Sequence, residues 1–136
     1  ERLKESLDLQ CNEFAQLQVV EYVKNYDVEG HIRKIQAAYK EKCDLMLSLM
    51  EENFPASVKF TRPEGGMFIW VELPEGLDAD GILDEAVEAG VAYIPGEFFY
   101  ANDGAKNTMR LNFTTVSEEQ IRKGIVLLAD VLKKHA

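Results

Sequence analysis

The segment Met67-Phe68-Ile69-Trp70-Val71-Glu72-Leu73 constrains the fold more than any other. It reads as a β-strand, closed by the turn Pro74-Glu75-Gly76. Alternation sends Met67, Ile69, Val71 and Leu73 to one face and Phe68 and Trp70 to the other. A strand with one wet face alternates apolar with polar residues. This one is apolar on both sides, so something must cover part of its second face. The preceding Gly65 and Gly66 permit either a close backbone approach or a positive φ.

The elements around that strand follow from period and punctuation. Leu3, Leu7, Cys11, Phe14 and Leu17 recur at steps of three or four and predict a helix from Leu3 to about Tyr26. Asp27 caps a second helix from about Val28 to Asn53, with a buried stripe of Ile32, Ile35, Tyr39, Met46, Leu49 and Met50. Phe54-Pro55 stops it, because the residue before proline disfavours helix. Val58-Lys59-Phe60 is a strand and Arg62 to Gly66 a turn. Asp78 caps a short helix carrying Ile82, Leu83, Ala86 and Val87, and Gly90 ends it as a left-handed cap. Val91–Ile94 and Met109–Phe113 are the remaining strands. Ser117-Glu118-Glu119-Gln120 is a capping box that opens a final helix with Ile121, Ile125, Leu128 and Leu132 on one face. The order α-α-β-β-α-β-β-α predicts an α+β fold: a small, mainly antiparallel sheet with helices on one face, preceded by a long helical segment. Residues 1–26 integrate poorly with that unit and read as a helical segment from another domain or a subunit interface. Residues 27–136 read as the domain itself.

Composition narrows the partners. The chain has 136 residues, 24 acidic and 15 basic, and a net charge of −9. Acidity of that size disfavours a nucleic-acid backbone and an anionic membrane surface, which both need a basic face. No apolar run approaches the roughly 18 residues that a membrane span needs. Cys11 and Cys43 form no Cys-x-x-Cys pair, and His31 and His135 are far apart, so no metal site is expected. Cysteines on apolar helix faces behave as small hydrophobes and fit a reducing, cytoplasmic setting. The start at Glu1, inside a helical pattern, is expected for a fragment.

Chemistry concentrates on the last strand. Met109, Leu111 and Phe113 share one face, and Arg110 and Asn112 share the other. With the apolar trio on the helices, Arg110 faces away from the core. Its guanidinium is a planar fork of donors, suited to holding a carboxylate by two parallel bonds. Spacing alone leaves a solvated surface arginine as the alternative, but the two-faced strand argues for cover on that side. The loop Pro95-Gly96-Glu97-Phe98-Phe99-Tyr100 is aromatic and either lines a cleft or folds back on the core. Lys59 and Lys106 read as solvated, and His31 as a surface or interhelix residue.

Taken in order, these segments are familiar. The run Pro63-Glu64-Gly65-Gly66-Met67-Phe68-Ile69-Trp70-Val71-Glu72-Leu73-Pro74 resembles class I/II aminotransferases of fold type I, closest to the 2-aminoadipate and kynurenine aminotransferase-like branch. Gly90 to Gly96, Phe98-Phe99 and Met109-Arg110-Leu111-Asn112-Phe113 follow in that family's order, and Tyr26-Asp27 and His31-Ile32 also match. The resemblance implies the C-terminal small domain of a pyridoxal-phosphate enzyme, working as a homodimer on an amino acid and a 2-oxo acid. It implies that Arg110 clamps the substrate α-carboxylate and that Gly66, Met67 and Phe68 belong to the strand beside it. Asn112 would support the arginine's strand, and Phe99 would edge the substrate cleft.

The family's Schiff-base lysine lies upstream of this region, as do its cofactor-binding groups, and no lysine here sits in a matching motif. The resemblance therefore implies no catalytic residue, no bound cofactor and no activity for this chain alone. The same fold serves β-lyases and aminotransferase-like domains of transcription regulators, which tend to carry histidine where this chain has Phe68. A free-standing amino-acid-binding module that uses Arg110, and an interaction domain with partner-binding helices, are the readings from other classes. Borohydride reduction of the chain after incubation with pyridoxal phosphate, followed by peptide mapping, should find no stoichiometrically labelled lysine.

Overall fold

The structure, a computed structural model, describes residues 12–102 and 104–135. Leu3, Leu7 and Cys11 lie outside the described residues. The chain divides into two compact units, Glu1–Gln36 and Ala37–Ala136, and the division falls inside a long helix.

In the first unit, helix α1 spans Glu13–Asn25, and its N-cap Asn12 accepts the Ala15 N–H at 3.1 Å. No residue of α1 is buried, and Phe14, Leu17, Val20 and Val23 are exposed. Helix α2, Val28–Asn53, begins here as expected, and Asp27 Oδ1 accepts the Gly30 N–H at 2.8 Å. Its buried stripe is shorter than periodicity predicts. Ile32 is exposed, Ile35 and Tyr39 are half-buried, and full burial begins at Cys43 and continues through Met46, Leu47 and Met50. Burial pushes the Cys43 thiol upward, away from thiolate chemistry.

The second unit holds a four-stranded antiparallel sheet in the order β1-β2-β4-β3. The strands are β1 (Lys59–Phe60), β2 (Phe68–Glu72), β3 (Ile94–Pro95) and β4 (Thr108–Asn112). Helices α3 (Ala79–Ala89) and α4 (Glu118–Leu132) join the end of α2 over one face. The core combines Ile69, Val71, Met109 and Leu111 from the central strands with Met50, Ile82, Ile121, Ile125 and Leu128 from the helices. Both predicted helix starts are present. Asp78 Oδ1 accepts from Asp80 N at 3.0 Å, and Ser117 and Gln120 form the reciprocal capping box. Gly90 ends α3 at φ 95°, where only glycine is unstrained.

Three expectations fail locally. Met67 precedes β2 and is exposed, and Val87 lies on the solvent side of α3. Val91–Tyr93 form no strand; pairing begins at Ile94 and includes Pro95, opposite Met109. Proline lacks a ladder donor and is tolerated here because β3 is an edge strand. Tyr93 points inward instead, and its hydroxyl donates to the Ala79 carbonyl at 2.7 Å. Burial, reinforced by the Asp80 and Asp78 charges, pushes its ionisation upward, so it stays a neutral donor. Ile69 is fully buried at the centre of the sheet. Ile69→Ala should destabilise the fold by about 2–5 kcal/mol, read as a lower urea midpoint.

Candidate functional site

The site lies on the sheet face opposite the helices, and the central ladder places it. Phe68 pairs with Asn112, Trp70 with Arg110, and Ile94 of the edge strand also opposes Arg110. Arg110 is half-buried. Its guanidinium carbon lies over two rings, 3.9 Å from the Phe68 centroid and 4.1 Å from the Phe99 centroid. Phe99 arrives on a 3₁₀ turn, Gly96–Phe99, that follows β3. Trp70 meets Phe99 edge-on at 5.9 Å and Tyr100 at 6.3 Å. Among the described residues, Arg110 Nε is the buried side-chain polar atom with no hydrogen-bond partner. A buried donor left unpaired costs about 1–3 kcal/mol.

Of the residues named from sequence, Phe68, Phe99 and Arg110 come together. Phe98, their neighbour in the loop, is exposed. Asn112 sits one turn of the pleat away and works on the backbone. Its Oδ1 accepts the N–H of Thr114 at 2.9 Å and of Thr115 at 3.2 Å, together with both threonine hydroxyls. It therefore shapes the turn that leaves β4. Gly66 adopts φ 88°, and a Cβ there would meet nothing within 4 Å, so conformation rather than close approach selects glycine. Met67 supplies a carbonyl that accepts the Phe113 N–H at 3.3 Å and extends the ladder.

Two contributors carry no local sequence signal. Lys42, on α2, donates to the Thr114 carbonyl at 3.0 Å and the Val116 carbonyl at 2.6 Å, pinning the far end of β4. Gly96 allows the aromatic turn to approach the sheet. A Cβ there would overlap Thr108 Oγ1 and lie 2.8 Å from Trp70 Cη2. Both contacts join residues distant in the chain, so local pattern could not reveal them.

A profile of the family described as Aminotransferase class I and II matches residues 9–128. The chain belongs to this aminotransferase family. Aromatic-amino-acid aminotransferase 1 of Thermococcus litoralis is 51% identical over 97% of this chain and 32% of its own length. Among solved structures, the kynurenine aminotransferase of Pyrococcus horikoshii, in complex with PMP, is 50% identical over 98% of this chain and 33% of that one, with a TM-score of 0.89. The α-aminoadipate aminotransferase LysN of Thermus thermophilus, complexed with N-(5'-phosphopyridoxyl)-L-leucine, is 38% identical over 98% of this chain and 34% of that one, with a TM-score of 0.85. Farther relatives, at 23–27% identity, include HTH-type transcriptional regulators. The chain thus spans about a third of the length of its aminotransferase relatives.

Among the described residues, no helix is long and apolar enough to cross a membrane, and no group of three or more His, Cys, Asp or Glu could hold a metal ion. The stretch matched by the family profile includes the strands that bear Arg110 and Phe68. Gly96→Ala should push the aromatic turn off the sheet and destabilise the fold by about 1–3 kcal/mol, measured by urea denaturation.

Proposed function

We propose that this chain is the substrate-carboxylate-binding domain of a pyridoxal-phosphate-dependent aminotransferase, which moves an amino group between an amino acid and a 2-oxo acid. Arg110 receives the α-carboxylate shared by all such substrates. The observation that carries this reading is the guanidinium set on the non-helical face of the sheet, with its buried Nε unpartnered among the described residues. A carboxylate in the guanidinium plane supplies acceptors on an edge that two donors can share. Fixing the carboxylate at one point also orients the rest of the substrate, whose reacting carbon is its immediate neighbour.

Among the described residues, Lys42 is engaged by main-chain carbonyls, and Lys40, Lys106, Lys133 and Lys134 pair with carboxylates. In this reading the cofactor and the lysine that carries it belong to the remaining two thirds of the protein, and the chain alone is inactive. Residues 1–26, with the uncovered apolar positions of α1, belong to the end of the large domain or to the interface of a homodimer. Phe68 favours an enzyme over a regulator, because regulators of this fold tend to carry histidine at that place.

Arg110→Lys in the full-length protein tests the assignment. Charge is kept, but an ammonium cannot reproduce the flat two-bond clamp. Losing one charge-assisted bond, about 1.5–3 kcal/mol, should lower catalytic efficiency roughly 10- to 150-fold for every amino-acid substrate alike, with cofactor loading unchanged. An unaltered catalytic efficiency would make Arg110 a structural residue.

A further inference from the structure

The guanidinium of Arg110 is held by rings rather than by acceptors. Its central carbon is about equally distant from Phe68 and Phe99, at 3.9 and 4.1 Å. The two rings form no pair with each other among the described residues, as rings on the same side would, so they flank the guanidinium. The two rings differ in how they are held. Phe68 belongs to β2 and is fixed by its ladder pair, Asn112. Phe99 ends a single 3₁₀ turn, is 46% exposed, and is held against the sheet by the edge of Trp70 and by the close seat at Gly96.

We propose that Phe68 and Phe99 are positioning residues for Arg110: they clasp both faces of its guanidinium, so that only the edge is offered to a carboxylate. The proposal rests on the carboxylate reading above and adds a dependence of affinity on the docking of the Phe99 turn. Two physical effects produce that dependence. Ring faces displace water from both sides of the cation, which strengthens the bonds left at its edge. They also remove rotamer freedom before the ligand arrives, so less ordering remains to oppose binding. Phe99 acts through Arg110 and does not touch the carboxylate.

The test uses the full-length protein that contains this chain and two carboxylates without a reactive amino group, 3-phenylpropionate and glutarate. Titration calorimetry gives their affinities for wild type, Phe99→Leu, Phe99→Trp, Arg110→Gln and the double variant Phe99→Leu/Arg110→Gln. Phe99→Leu should weaken both ligands by the same factor, roughly 3- to 30-fold, the range of a cation–π contact. Phe99→Trp keeps a ring face and should stay within about twofold of wild type. In the Arg110→Gln background Phe99→Leu should add no further loss, since its effect passes through the missing guanidinium. Additive losses, a loss confined to 3-phenylpropionate, or wild-type affinity in Phe99→Leu would each overturn the positioning role while leaving the carboxylate clamp standing. Wild-type affinity in Arg110→Gln would overturn the clamp and the proposal together. Should Arg110→Gln bind too weakly to measure, the equal factor for the two ligands and the retention in Phe99→Trp decide.

Discussion

The pairing of β2 with β4 is the constraint on which the rest depends. Five residue pairs, from Phe68–Asn112 to Glu72–Thr108, set a single register. Because side chains alternate, that register puts Ile69, Val71, Met109 and Leu111 into the core and leaves Arg110 on the other face. A slip by one residue would turn Arg110 toward the helices, and a buried charge without a partner is far more costly than any single apolar contact. The hydrophobic core and the arginine's position are therefore two results of one pairing. The side chains that make the fold stable are also those that forbid the arginine any other orientation.

Both ends of β4 are then secured by polar contacts. At one end, Thr108 is buried with its hydroxyl on the Ala105 carbonyl, and Asn107 bonds Leu73 through backbone and side chain. At the other, Asn112 gathers the amides and hydroxyls of Thr114 and Thr115, while Lys42 takes the Thr114 and Val116 carbonyls. A strand anchored at both ends leaves its central arginine little room to shift. The aromatic turn beside it is held differently, by ring edges and the absence of a side chain at Gly96. A rigid half and a lightly held half thus meet at Arg110, and binding sites are commonly built from such a pairing of scaffold and loop.

Met67 and Phe98 are exposed apolar residues of the second unit, and α1 exposes Phe14, Leu17, Val20 and Val23 in the first. The chain spans about one third of the length of its aminotransferase relatives.

Much was legible before the fold was known. Asp27, Asp78, Gly90 and the Ser117–Gln120 box act within three or four residues of themselves, so their hydrogen-bonding roles are written locally. The alternation at Met109–Phe113 separated the core trio from Arg110 because a strand's period is invariant. Periodicity misjudged Ile32, Met67 and Val87, since an apolar residue is buried only where another element covers it. It also extended the third strand over Val91–Tyr93, where Tyr93 is drawn inward to the Ala79 carbonyl. The amino-acid sequence by itself determined the order of elements, their caps and the face on which Arg110 stands, all of them consequences of short-range geometry. Only the tertiary structure decided that Phe99 closes over Arg110 opposite Phe68, that Lys42 pins the strand and that Gly96 makes room, because each joins groups brought near by folding alone.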